Sequence, residues 1–156
     1  MQKRKLRDLE VSAIGVGCMG FSHGYGKVPE TEYSINAMRK AFDAGCNFFD
    51  TAEVYGDVVF YPGHNEELVG KALSSVRKDV VLATKLHLRP DEVAASPSVY
   101  DAVKAHLVAS MKRLATDYVD LYYLHRINEE VSFEEVAAAM GRLIDEGLIR
   151  GWGMAS

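Results

Sequence analysis

GVGCMG, residues 15–20, satisfies the pattern G-x-G-x-x-G through Gly15, Gly17 and Gly20. In a dinucleotide-binding Rossmann unit that pattern joins a strand to a helix, whose free N–H groups meet a pyrophosphate. Here the glycines lie inside an apolar run, Ala13-Ile14-Gly15-Val16-Gly17-Cys18-Met19. The run leads into Phe21-Ser22-His23-Gly24-Tyr25-Gly26-Lys27-Val28-Pro29, which is loop chemistry. The next helical pattern opens only near Thr31. The acidic residue expected about 20 positions on is missing too, since the first candidate after a second strand is Asp50. The stretch therefore reads as a glycine-rich strand that another backbone passes closely.

Working outward, the chain alternates. Residues 3–12 form a short hairpin turning near Arg7-Asp8, and strand 1 covers about 13–19. A helix over 31–44 places Ile35, Met38, Ala41 and Phe42 on one face, with Thr31 to cap it and Gly45 to stop it. Strand 2 is 46–50, a helix follows over about 65–76, and strand 3 is 80–85. Tyr100, Val103, Leu107, Met111 and Leu114 stripe a helix over about 97–114. Strand 4 is 119–125. The last helix starts after Ser132, with Phe133, Val136, Met140, Leu143 and Ile144 inward and Gly147 as its stop; strand 5 is 149–155. Strands 2 to 4 are nearly continuous apolar runs, as strands covered on both faces should be. Parallel strands joined by crossover helices follow, in one domain over 1–156 with no internal boundary. An open doubly wound sheet and part of a (β/α)8 TIM barrel both fit. A whole barrel needs about 250 residues, and 156 residues supply about the first half: hairpin, four βα units and a fifth strand.

Apolar content of 48% and a net charge of −4 describe an ordinary globular chain. No basic patch points to nucleic acid, and no apolar stretch is long enough for a membrane. A polar start after Met1 argues against a signal peptide. Cys18 and Cys46 have no metal spacing and suggest a reducing, cytoplasmic setting. His64, Glu66 and Glu67 are the one weak metal candidate; the favoured reading has no metal site.

Both architectures place sites at the carboxyl ends of strands. Strand 2 ends in Asp50, with Tyr55 soon after in FFDTAEVYG; strand 3 ends in Lys85, and strand 4 in His125. Each has a plainer explanation: Asp50-Thr-Ala-Glu53 matches a capping box, Tyr55 can pack on a rim, Lys85 can reach solvent, and His125 can bond loop backbone. Together they are chemically complementary. An ammonium beside a phenol favours the phenolate, so Tyr55 can give a proton to a carbonyl oxygen becoming an alkoxide. Asp50 would hold Lys85, and His125 would hydrogen-bond the same oxygen. No side chain supplies a hydride, so such a site needs a nicotinamide.

At this point the residues resemble the aldo-keto reductases. GVGCMG, FFDTAEVYG, NEELVGKAL, VLATKL, SMKRLATDYVDLYYLHR and LIDEGLIRGWGMAS follow that family's order from about residue 6 onward. The resemblance implies a (β/α)8 barrel using NADPH, with a catalytic tetrad of Asp50, Tyr55, Lys85 and His125. It implies that backbone near Met19 and Gly20, the side chain of Asp50, and Ser156 lie at the nicotinamide end. The family's chain continues for three and a half more units, whose loops hold most of the cofactor and much of the substrate pocket. A half barrel leaves strands 1 and 5 as open edges. The expected activity is NADPH-dependent reduction of a small carbonyl substrate. The competing expectation is a non-catalytic half barrel or regulatory module that binds cofactor, pairing with itself or another chain through those edges.

Overall fold

The computed structural model describes residues 1–155. Strands β1 (Lys3–Leu6) and β2 (Leu9–Ser12) form the expected antiparallel hairpin. Its turn holds Arg7 at a φ of 52°. Then come β3 (Val16–Gly17), α1 (Thr31–Asp43), β4 (Phe48–Asp50), α2 (His64–Leu73) and β5 (Val81–Leu86). They are followed by α3 (Pro90–Ala95), α4 (Val99–Leu114), β6 (Val119–Leu124), α5 (Phe133–Asp145) and β7 (Ile149–Met154).

Strands β3 to β7 make one sheet in strict chain order, each parallel to its neighbour. That order decides between the two architectures. A doubly wound sheet reverses direction at a switch point, and this sheet has none. It is the first arc of a (β/α)8 barrel, with α1, α2, α4 and α5 packed in succession outside it. The core lies between, and Met38, Phe49, Leu82, Leu107, Tyr122 and Leu143 are completely buried there. The Met, Phe and Leu side chains among them contribute about 1.5–3 kcal/mol each when fully covered.

Local differences from the sequence reading have local causes. Strand 1 pairs only at Val16 and Gly17, opposite Phe49 and Asp50, because the chain turns into a 3-10 segment at Met19–Phe21. A Cβ at Gly15 would stand 3.1 Å from the Phe48 ring and 3.2 Å from its carbonyl oxygen. That is the close backbone passage expected of this stretch. No α-helix begins until Thr31, so a Rossmann geometry is excluded. Thr31 does not cap α1; Glu30 occupies the cap position, extended, with no side-chain bond. Gly45 and Gly147 stop α1 and α5 at φ of 92° and 73°. Phe133 was expected inward, but it is 39% exposed at the first turn of α5, near Trp152. Helix α3 was not foreseen. Pro90 at its first position and the Glu92 carboxylate, which accepts the Arg89 N–H at 3.1 Å, are its start signals.

Beneath the strand ends, α2 and α4 cross at Gly70, where a Cβ would meet Arg113 O at 2.6 Å. The same contact carries a buried ion pair. Glu66 has no exposure; its carboxylate accepts from Arg113 Nε at 2.6 Å and from Thr84 Oγ1 at 2.5 Å. Burial pushes the Glu66 carboxyl up, and Arg113 and Thr84 pull against that.

Candidate active site

Register brings the candidate residues together. Asp50 closes β4, Lys85 stands near the end of β5, and His125 directly follows β6. The His125 N–H bonds Leu86 O at 2.8 Å, which extends the sheet by one step. Tyr55 lies on the loop after β4. The capping-box reading of Asp50-Thr-Ala-Glu53 fails here: residues 53–59 are turns, and α2 opens only at His64.

Lys85 is 8% exposed. Its ammonium donates to Asp50 Oδ1, to Thr51 O at 2.8 Å and to the Tyr55 hydroxyl oxygen at 3.2 Å. Three protons meet three acceptors, so the side chain is fixed in direction. The Asp50 side chain is 35% exposed and pairs with the ammonium from the open side. His125 presents its ring edge-on to Tyr55, centroids 5.6 Å apart and planes at 85°. Burial pushes the His125 pKa down to about 4, with the Lys85 charge adding to the effect. His125 is therefore neutral at pH 7. Its Nδ1 is buried with no partner among the described residues. An unpaired acceptor costs less there than an unpaired donor, which favours the tautomer with hydrogen on Nε2. That leaves one N–H to aim at a polarised oxygen.

Three neighbours were missed from sequence. His23 Nδ1 accepts the Gly56 N–H at 3.0 Å, and its ring lies 5.6 Å from Tyr55. Asn65 donates to Cys18 O and Ser22 Oγ and accepts from Thr51 Oγ1, tying the loops after β3 and β4 together. The Glu53 carboxylate has partners other than the Lys85 ammonium. It accepts the His87 N–H at 2.5 Å and meets His106 Nδ1 at 2.8 Å. Only His23, inside MGFSHGYG, carried any signal, and its loop composition hid it.

Of the residues expected near a nicotinamide, Met19 and Gly20 form the turn after β3. The Cys18 N–H bonds Asp50 O at 2.8 Å, which sets that turn beside the end of β4. Ser156 lies outside the described residues. The metal candidates separate: His64 meets Ser22, Glu66 meets Arg113, and Glu67 accepts from Tyr61. Among the described residues no group of three or more ligands can hold a metal, and no helix is long and apolar enough to cross a membrane. Cys18 and Cys46 are both buried and free.

Comparison with known proteins finds relatives that share this fold. The Aldo/keto reductase family model matches residues 13–156. The uncharacterized oxidoreductase YqkF of Bacillus subtilis is 36% identical over 162 residues, covering 100% of this chain and 49% of that protein. Probable aldo-keto reductase 1 of Glycine max is 36% identical over 152 residues, 94% of this chain and 42% of its own. Among solved structures, a holo-form aldo-keto reductase from Bacillus halodurans superposes with a TM-score of 0.80 at 32% identity, over 99% of this chain and 50% of that one. An aldo/keto reductase from Klebsiella pneumoniae, in complex with NADP and acetate, gives 0.75 at 34%, over 93% and 46%. The chain spans about half the length of the curated relatives it matches. With its strand order, its strand-end residues and a family match across most of its length, this chain belongs to the aldo/keto reductase family.

Proposed function

We propose that this chain carries the proton-donating machinery of an NADPH-dependent reductase of aldehydes or ketones. The observation that supports this most is Lys85, whose ammonium meets Asp50 and the Tyr55 hydroxyl at once, with His125 edge-on to the same phenol. Tyr55 gives its proton to the carbonyl oxygen as that oxygen gains negative charge. Lys85, 3.2 Å away, stabilises the phenolate left behind, and Asp50 keeps the ammonium in place. Neutral His125 donates an N–H to the same oxygen and orients the carbonyl. A bound NADPH would supply the hydride to the carbonyl carbon, giving an alcohol and NADP+. The residues present fit the nicotinamide end of such a cofactor: the Met19–Gly20 turn sits beside β4, and Asp50 keeps an exposed face. Relatives solved with NADP and NADPH favour the same cofactor. The buried free thiols suit a reducing, cytoplasmic setting.

A second reading is a half-barrel module that binds without turnover and pairs through the edges of its sheet. Its support is an apolar groove of about 380 Å³ along β3 and the hairpin, lined by Leu6, Val11, Val16 and Phe48. NADPH fluorescence titration, with mass in solution recorded on the same sample, tests the pair. Saturable binding followed by oxidation with an added aldehyde supports the reductase. Binding by a dimer without turnover favours the module. A folded chain that binds no NADPH overturns the cofactor assignment.

A further inference from the structure

Behind the catalytic loop stands a second carboxylate system that the proposed chemistry does not use. Glu53 lies two residues before Tyr55 and is 8% exposed. Its backbone is pinned on both sides: its N–H bonds Lys85 O at 3.3 Å, and its carbonyl accepts the Gly63 N–H at 2.6 Å. One carboxylate oxygen takes the His87 N–H, just past β5; the other faces His106 Nδ1 on α4. The opposite nitrogen of that imidazole, His106 Nε2, lies 3.3 Å from the Glu92 carboxylate on α3.

This arrangement constrains the protonation of His106. A neutral imidazole has one N–H and one lone pair. With carboxylate oxygens at both nitrogens, the neutral ring would turn its lone pair toward one of them. Only the imidazolium satisfies both. Among the described residues, the other charged and titratable groups facing the cluster are Arg113 on α4, Arg89 and His87 after β5, Asp57 on the loop that carries Tyr55, Tyr122 on β6 and His125 just after it. Arg89 is committed to Glu92 and Asp91, and Arg113 to Glu66, so His106 is the cation in contact with Glu53. A cleft of about 460 Å³, lined by Glu53, Asp57, His87, Arg89 and His106 among others, runs beside the pair and gives water a path to it.

We propose that Glu53 and His106 form a protonation-dependent brace: the imidazolium holds Glu53 and the Tyr55 loop against the end of β5, and loss of its proton loosens that loop. Glu53 and His106 are thus positioning residues for the proton donor. The directions of titration agree. The Glu53 hydrogen bond raises the His106 pKa against the opposing effect of burial. Burial pushes Glu53 up, but His106 and the His87 N–H outweigh it and hold the carboxyl below its ordinary range. Naming Tyr55 as the donor rests on the function proposed above; the brace itself does not.

NMR of the folded chain tests it without turnover. Imidazole and tyrosine-ring signals are followed against pH in the wild type, His106→Gln, Glu53→Gln and the peripheral Glu92→Gln. We expect His106 to titrate above the ordinary histidine range and the Tyr55 ring signals to move with the same midpoint. That Tyr55 step should vanish in His106→Gln. The His106 midpoint should fall in Glu53→Gln, and by less in Glu92→Gln. A Tyr55 step that survives in His106→Gln belongs to His23, His87 or His125 and overturns the brace. An unchanged His106 midpoint in Glu53→Gln overturns it equally. Failure of NADPH binding with this coupling intact would instead sink the reductase reading and leave the brace standing.

Discussion

Asp50 and Glu53 stand close in sequence and hold opposite sides of one loop. Asp50 ends a strand, stays 35% exposed and grips an ammonium that also meets Tyr55. Glu53 is nearly buried, faces outward to α4 and grips an imidazole. The front pair joins Asp to Lys, two groups whose ordinary ionisation lies far from neutral pH. The back pair contains a histidine, whose charge changes within the physiological range. On the proposed reading, chemistry and its adjustment are divided between two faces of the loop. Each face should break in its own way.

The front should fail in rate. In the proposed mechanism Lys85→Met removes the ammonium beside the Tyr55 hydroxyl and should lower carbonyl reduction by roughly 10²–10⁴-fold. The loss of fold stability should be smaller, because Asp50 can turn to water. Steady-state kinetics alongside urea denaturation separates the two effects. The back should fail in stability. Arg113→Met leaves Glu66 wholly buried without its cation, which should cost about 3–5 kcal/mol of unfolding free energy. Urea denaturation of that variant checks it, and a loss under 1 kcal/mol would mean that Glu66 is held neutral.

Glu53→Gln breaks the back pair itself, with an effect smaller than either of these. It keeps an acceptor for His87 but loses the charge opposite His106, and should cost about 1–3 kcal/mol. The smallest effect is the wild type's own pH dependence, within about 1 kcal/mol. The His106 pKa is raised in the folded state, so its contribution is complete below the ordinary value near 6.5 and is lost as pH rises through the raised one. Glu53 is lowered, so its share is lost only as pH falls below the ordinary value of 4.5. Denaturation midpoints at pH 6 and 8.5 should differ in the wild type and converge in His106→Gln.

The front face was legible in the sequence, and the back was not. Asp50, Lys85 and His125 stand within a residue of the ends of strands whose apolar runs mark their limits, so a parallel sheet alone brings them together. Glu53 and His106 are 53 residues apart. One sits inside a motif that imitates a helix start, and the other on the flank of the α4 stripe. Nothing in their local patterns links them, and only the packing of α4 against the loop does so. The barrel arc followed from strand and helix alternation, but its distinction from a doubly wound sheet required strand order. The two-residue length of β3 was likewise hidden, because an edge strand with Gly15 pressed on Phe48 reads as a longer apolar run.

The central claim is that Tyr55 is the proton donor of a carbonyl reduction site, and Tyr55→Phe tests it most directly. NADPH-dependent reduction of small aldehydes is measured for both proteins, with NADPH fluorescence recorded on each. The account predicts a rate at least about 10²-fold lower in the variant, with cofactor binding retained. Equal rates in the two proteins would contradict it.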